Sequence, residues 1–159
     1  MNVFYLDEKP QVAASMHCDK HVVKMVLECA QLLSSAHHVY ESDVKDQVYK
    51  KTHVNHPSSV WVREDKSHYD WVYQLMLELG EEYTRRYKKT HLTITKMSKL
   101  LSKAPNGTPD EGWQDPPQCM PEDCVRDNAK LGYLVYYNHK ADEWAAKGKP
   151  MTWYGETTE

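Results

Sequence analysis

The sequence predicts an all-α fold, and three observations carry the prediction. Apolar residues recur at helical spacing over two long stretches, and no stretch alternates apolar and polar residues as a half-buried strand does. Proline and glycine gather into one segment instead of punctuating many short elements. The expected architecture is a single helical domain over residues 1–159, a bundle of about four to five helices with a Pro-rich loop. A chain of 159 residues is long enough to bury about two thirds of the surface its unfolded form exposes.

Taken in order, Val3 to Leu6 read as a short extended segment before Pro10. One long helix is expected from about Gln11 to Tyr40, ending at the polar stretch "ESDVKDQ". Pro57 in "THVNHPSSVWVRED" is a helix-start signal, giving a short helix over about 58–65. Ser67 with Asp70 resembles a capping box, and Trp71, Val72, Leu75, Met76 and Leu79 carry a second long helix to about Tyr87. A third helix covers about Thr93 to Ser102. The segment "APNGTPDEGWQDPPQCMP" (104–121) holds five prolines and two glycines and reads as an ordered loop, because neither flank is complete without the other. The last helix is expected from near Pro121 to about Lys147, before Gly148.

Composition narrows the class. With 40% hydrophobic and 27% charged residues, the chain reads as an ordinary soluble globular protein. No apolar run reaches the roughly 18 to 20 residues of a membrane span. The opening "MNVFYLDEKPQ" lacks the pattern of a signal peptide, so the expected location is the cytoplasm. Cys18, Cys29, Cys119 and Cys124 form no C-x-x-C pair and read as reduced thiols. A net charge of -3 gives no global pull on nucleic acid, so DNA binding would rest on a local basic cleft. Nine histidines, and eleven Tyr and five Trp against one Phe, skew the chain toward rings with a polar handle, which suit wet clefts and stacking platforms.

The first long helix poses the functional question. On a helical projection His17, Lys20, His21, Lys24, Glu28, Gln31, Ser35 and His38 fall within about a 100-degree sector. The remaining circumference from Val22 onward is almost free of charge, which marks a helix in the middle of a bundle. Two buried lysines without partners would cost several kcal/mol each, so the stripe is either a solvated face with a Lys24–Glu28 pair or the wall of a cleft. Clustered His and Lys around one Glu suit proton transfer and phosphate contact, which favours the cleft. Thr52, His53, Asn55 and His56 at a helix N-terminus, Arg63 beyond them, Glu82 with Arg86, and Tyr137 with Lys140 on the last helix are candidates for substrate binding in the same cleft. His17 and His21, with His53 or His56, offer a competing zinc reading. No carboxylate lies within the pair as in H-E-x-x-H and two lysines crowd it, so neither a metal nor a cofactor is assigned.

At "HCDKHVVKM", "CAQLLSSAHH", "THVNHPSSVWVRE" and "EEYTRRY" the sequence resembles a family of short helical proteins of tailed phages labelled pyrimidine dimer DNA glycosylase. The resemblance spans most of the chain and implies DNA as the partner and an amine nucleophile working with a glutamate. A phage pyrimidine-dimer glycosylase uses a threonine amine exposed by loss of the initiator methionine. Asn2 follows Met1 here, so the implied amine falls to Lys20 or Lys24, which crowd one turn apart. Glu28 would act as acid and base, His17 and His21 would contact the phosphodiester, and a flipped base would stack on Trp or Tyr. Trp153 and Tyr154 loosely echo an aromatic C-terminus. By similarity in phage context, the same residues also suit a transferase that displaces phosphate from a phosphorylated 5-hydroxymethyl pyrimidine by an amine. A metal-dependent hydrolase and a non-catalytic binding protein complete the set.

Overall fold

The computed structural model describes residues 2–153, so Tyr154 lies outside the described residues. Its helices are α1 (Pro10–Met16), α2 (Asp19–Val39), α3 (Pro57–Glu64), α4 (Lys66–Tyr87), α5 (Leu92–Met97) and α6 (Ala129–Ala146), with one 3₁₀ turn at Glu122–Cys124. Among the described residues there is no strand, and the class is all-α. No helix among them is long and apolar enough to cross a membrane.

The apolar spacing acts as expected at the centre. Met25, Val26, Cys29, Leu32 and Leu33 of α2 are buried in one cluster with Val72, Leu75, Met76 and Leu79 of α4. Each such side chain contributes about 1.5 to 3 kcal/mol when withdrawn from water. The two long helices pack along each other, α1 lies against α4, and α3 rests on both α2 and α4. Gly80 admits α5 to this arrangement, since a Cβ there would stand 2.6 Å from Ile94 Cγ1.

Four boundaries differ from the sequence expectation, the first for a tertiary reason and the others through local caps. The expected helix from Gln11 to Tyr40 is two helices, broken where His17 and Cys18 turn extended (ψ 137° and 162°). Neither residue is a helix breaker. Their backbone groups find partners elsewhere: His17 O accepts from Arg86, and Cys18 N donates to the Tyr137 hydroxyl. The cap of α4 is Asp65, whose carboxylate accepts from Ser67 N at 3.0 Å, rather than a Ser67–Asp70 box. The helix expected over Thr93 to Ser102 is the six-residue α5, starting at Leu92 under a His91 cap. The helix expected from Pro121 begins only at Ala129, capped by Asn128, which accepts from Leu131 N. Gln118 holds the chain before it by donating to Arg126 O and accepting from Arg126 N.

The Pro-rich segment is an ordered loop stitched to the α3–α4 corner. Asp65 Oδ1 accepts from the backbone N–H groups of Glu111 (2.6 Å) and Gly112 (3.0 Å). His68 Nδ1 donates to Trp61 O and its Nε2 accepts from Gln114 N, while Trp61 Nε1 donates to Gln114 O. Trp61 and His68 stack at 4.3 Å. One carboxylate thus caps a helix and pins a loop, and these hydrogen bonds hold it well below the usual carboxylate range, the one from the Ser67 hydroxyl most of all. A depressed carboxyl contributes its stability above its unfolded pKa and loses it as pH falls through the folded one. Asp65→Ala is therefore expected to destabilise the protein by about 2 kcal/mol or more. In denaturant titrations of the wild type, the corresponding loss should set in below about pH 4 and be absent from the variant.

Candidate active site

The stripe residues divide into three zones along α2, because residues seven apart lie on one face about 10 Å from each other along the axis. His21, Glu28 and Ser35 form such a row. The two ends of the row are roofed, and only the middle is open.

At the first end, His21 is 4% exposed. Phe4, the one phenylalanine of the chain, stacks on it at 4.5 Å, and Trp144 meets it edge-on at 5.7 Å. His21 Nδ1 lies 2.7 Å from the Tyr137 hydroxyl, which also accepts from Cys18 N at 2.9 Å. His17 is fully buried and lies on the break instead of on α2. Its Nδ1 donates to Ala13 O at 2.7 Å, and its Nε2 has no hydrogen-bond partner among the described residues. Burial pushes the His17 imidazole down to about 4. Burial first, then the charge of His17 and the nearby lysines, pushes His21 down to about 3. Both rings are neutral and enclosed, so the expected contact of His17 and His21 with a phosphodiester is not made from these positions. Burial likewise raises the Tyr137 hydroxyl well above its ordinary value, so it remains a proton donor.

Glu82 and Arg86 lie beneath this end and do not line an open cleft. Arg86 donates to Ser15 O, His17 O, Asp19 and Glu82, with its guanidinium 3% exposed. Arg85 adds a second cation to Glu82. The bare carbonyls at the end of α1 and the carboxylate opening α2 thus share one cation.

At the other end, Ser35 Oγ accepts from Thr52 N and donates to Thr52 O, both at 3.1 Å. This docks the segment Thr52–His56. His53 stands at a positive φ of 48°, with its Nδ1 2.7 Å from Thr52 Oγ1. Arg63 holds the loop by donating to Val54 O, and His56 Nδ1 accepts from Ser58 N as the cap of α3. Burial lowers the His56 imidazole from its usual range, and the charge of His53 adds to this. Asn55 is exposed.

The open middle holds Lys24, Glu28 and Gln31. Lys24 Nζ lies 3.5 Å from Glu28 Oε2, with the lysine side chain 61% exposed and the glutamate 14%. An exposed amine thus sits over a recessed carboxylate. Val23 and Leu27, expected in the buried arc, are exposed beside them, because α2 presents an edge to solvent. Lys20 is drawn the other way, its Nζ 4.9 Å above the Trp144 ring, which Lys140 also approaches at 5.7 Å. Lys20, Trp144, Lys147 and Lys149 line an adjoining cleft of about 370 Å³. Among the described residues no three His, Cys, Asp or Glu side chains are grouped so that they could hold a metal ion.

Sequence reasoning did not single out Phe4, Cys18 or Asp19. Phe4 carries a weak signal as the lone Phe in an extended apolar run, whereas the roles of Cys18 and Asp19 arise only from the break.

The family model for pyrimidine dimer DNA glycosylase matches residues 1–95, three fifths of the chain, and the protein belongs to that family. No curated protein and no solved structure matches it. The matched part contains the whole row from His17 to Ser35, the Thr52–His56 loop, Arg63, Glu82 and Arg86.

Two outcomes follow from this geometry. Arg86→Met leaves Asp19 and Glu82 at the break without their shared cation and is expected to cost about 3 to 5 kcal/mol, measured as a loss of unfolding free energy. Histidines whose folded pKa is depressed contribute stability that is full above the unfolded value and falls as pH drops below about 6.5 toward the folded values of 3 to 4. Thermal unfolding should show this decline, and His21→Phe, which keeps a ring against Phe4 but cannot titrate, should flatten it.

Proposed function

We propose that the protein is a DNA glycosylase acting on damaged pyrimidines, with Lys24 as the nucleophilic amine and Glu28 as the group that handles its proton. The 3.5 Å pairing of Lys24 Nζ with Glu28 Oε2 at the one open stretch of the row carries this reading, and the family membership supplies the substrate class. Glu28 takes the proton that Lys24 must lose. The free amine then attacks C1′ of the lesion nucleotide, forming an N–C1′ bond as the glycosidic bond breaks and its electron pair departs on the base. The departing base takes up the proton that the new secondary ammonium releases. Glu28 then gives its proton to O4′ as the sugar opens to an iminium, and the carboxylate so regenerated takes the C2′ proton, which expels the 3′ phosphate in the lyase step. His21 and Tyr137 act as a neutral, packed floor that fixes α2 beneath the pair. Lys20, Lys140, Lys147 and Lys149, grouped around Trp144, are the local basic cleft that receives the DNA backbone, and the indole offers a stacking face.

Borohydride trapping tests the chemistry. With duplexes bearing a cyclobutane dimer or an abasic site, the wild-type protein is expected to give a covalent adduct that maps by peptide mass to Lys24, and Lys24→Ala should abolish it. Glu28→Gln should slow trapping by about 100-fold or more while leaving thermal stability and duplex affinity near the wild-type values. An adduct on another amine would overturn the role of Lys24, and no adduct on either substrate would overturn the glycosylase reading. With four lysines at the backbone, log affinity should fall with log salt at a slope of about −3.6, or 0.9 per phosphate contacted. Titrations at several salt concentrations measure it.

A further inference from the structure

We infer that the cleft walled by Tyr5, Trp71 and Trp113 binds a small organic cation with an alkylammonium head. This site is separate from the Lys24–Glu28 pair and does not rest on the glycosylase reading.

The cleft has a volume of about 600 Å³, within the range of small-molecule sites, and four separate parts of the chain build it. Tyr5 comes from the N-terminal segment, Trp71 from α4, Trp113 and Asp115 from the Pro-rich loop, and Lys130 from the start of α6. The three aromatic rings pack together at the cleft, Trp113 outermost over the nearly buried Tyr5 (3% exposed) and Trp71 (9%), with centroids 5.1 Å apart for Tyr5 and Trp71, 6.0 Å for Tyr5 and Trp113, and 6.2 Å for Trp71 and Trp113. Each indole is fixed through its N–H group, Trp71 Nε1 donating to Glu8 O at 2.8 Å and Trp113 Nε1 to Asp115 Oδ1 at 2.9 Å. Trp113 remains 38% exposed although it packs on Trp61 and His68 as well. The loop that carries it is pinned by Asp65 and His68, so the wall stands ready before any ligand arrives.

Charge selects the ligand. Glu8 and Asp115 line the cleft, and Asp7 stands beside them. The cation in the lining, Lys130, lies 3.8 Å from Asp7 and 3.9 Å from Glu8, which leaves three carboxylates against one ammonium. The field reaches the ring: burial and then the charges of Asp115, Glu8 and Asp7 raise the Tyr5 hydroxyl to about 12. A phosphodiester is repelled from such a place, so a flipped nucleotide does not suit it. Aromatic faces beside carboxylates attract a cation with a greasy, weakly hydrated surface, which an alkylammonium has and a metal ion lacks.

The full chain titrated with choline and with n-butylammonium, followed by calorimetry and by the indole N–H signals in NMR, tests the site. Both cations are expected to bind saturably and to move the Trp71 and Trp113 signals. The neutral isostere of choline, 3,3-dimethylbutanol, should bind about tenfold more weakly or less. Asp115→Asn keeps an acceptor for Trp113 Nε1 while removing the charge, and it should weaken choline by about fivefold. Trp113→Ala should weaken it further, and Trp144→Ala in the other cleft should change nothing. Equal binding of the alcohol, or a choline affinity untouched in Asp115→Asn, would overturn the inference. So would the absence of a saturable signal with either cation.

Discussion

The fold turns on one buried guanidinium. Arg86, near the end of α4, donates to the terminal carbonyls of α1 and to the carboxylate that opens α2, with Glu82 as its companion on the same helix. A helix end leaves its last carbonyls unpaired, and an interior helix end must find donors for them. Arg86 supplies those donors and receives two carboxylates in return, which offsets the cost of taking the cation out of water. The kink at His17 and Cys18 depends on this arrangement. So does the placement of everything near it: Asp19 N donates to Thr152 O, Trp153 Nε1 donates to Met16 O, and Tyr137 reaches Cys18 from α6.

The kink sets where the polar row on α2 begins. With His17 moved off the helix, the row on α2 begins at His21, which is packed under Phe4 and Tyr137, and ends at Ser35, which is fastened to Thr52. The polar residues at the two ends are therefore spent on structure. Lys24 and Glu28 pair between them, the lysine exposed and the glutamate recessed. The same economy separates the basic side chains: Lys20 and Lys140 converge on Trp144, away from the acidic, tryptophan-rich cleft at the opposite kind of surface. A net charge of -3 thus conceals two local surfaces of opposite sign.

The sequence by itself determined the helical class, since apolar residues at a period of 3.6 bury one face of a helix and cannot bury a face of a strand. It also determined the loop character of 104–121 and, apart from His17, the members of the polar row on α2; the Lys24–Glu28 pair, i,i+4 neighbours on one helix, stood there only as the mark of the solvated face that the sequence reading set below a cleft. Tertiary structure decided the break at His17, the neutral burial of His17 and His21, the use of Arg86 inside the fold, and the late start of α6 at Ala129. For the first three the deciding partner lies far along the chain: Arg86 is 69 residues from His17, and Tyr137 is 116 from His21. The spacing of apolar residues on either side of 17 and 18 predicts a continuous helix, and hydrogen bonds from distant groups meet the backbone where it is interrupted. The same holds for the rings of Tyr5, Trp71 and Trp113, which no periodicity connects and which only the docking of the Pro-rich loop on the Asp65 carboxylate brings to one wall.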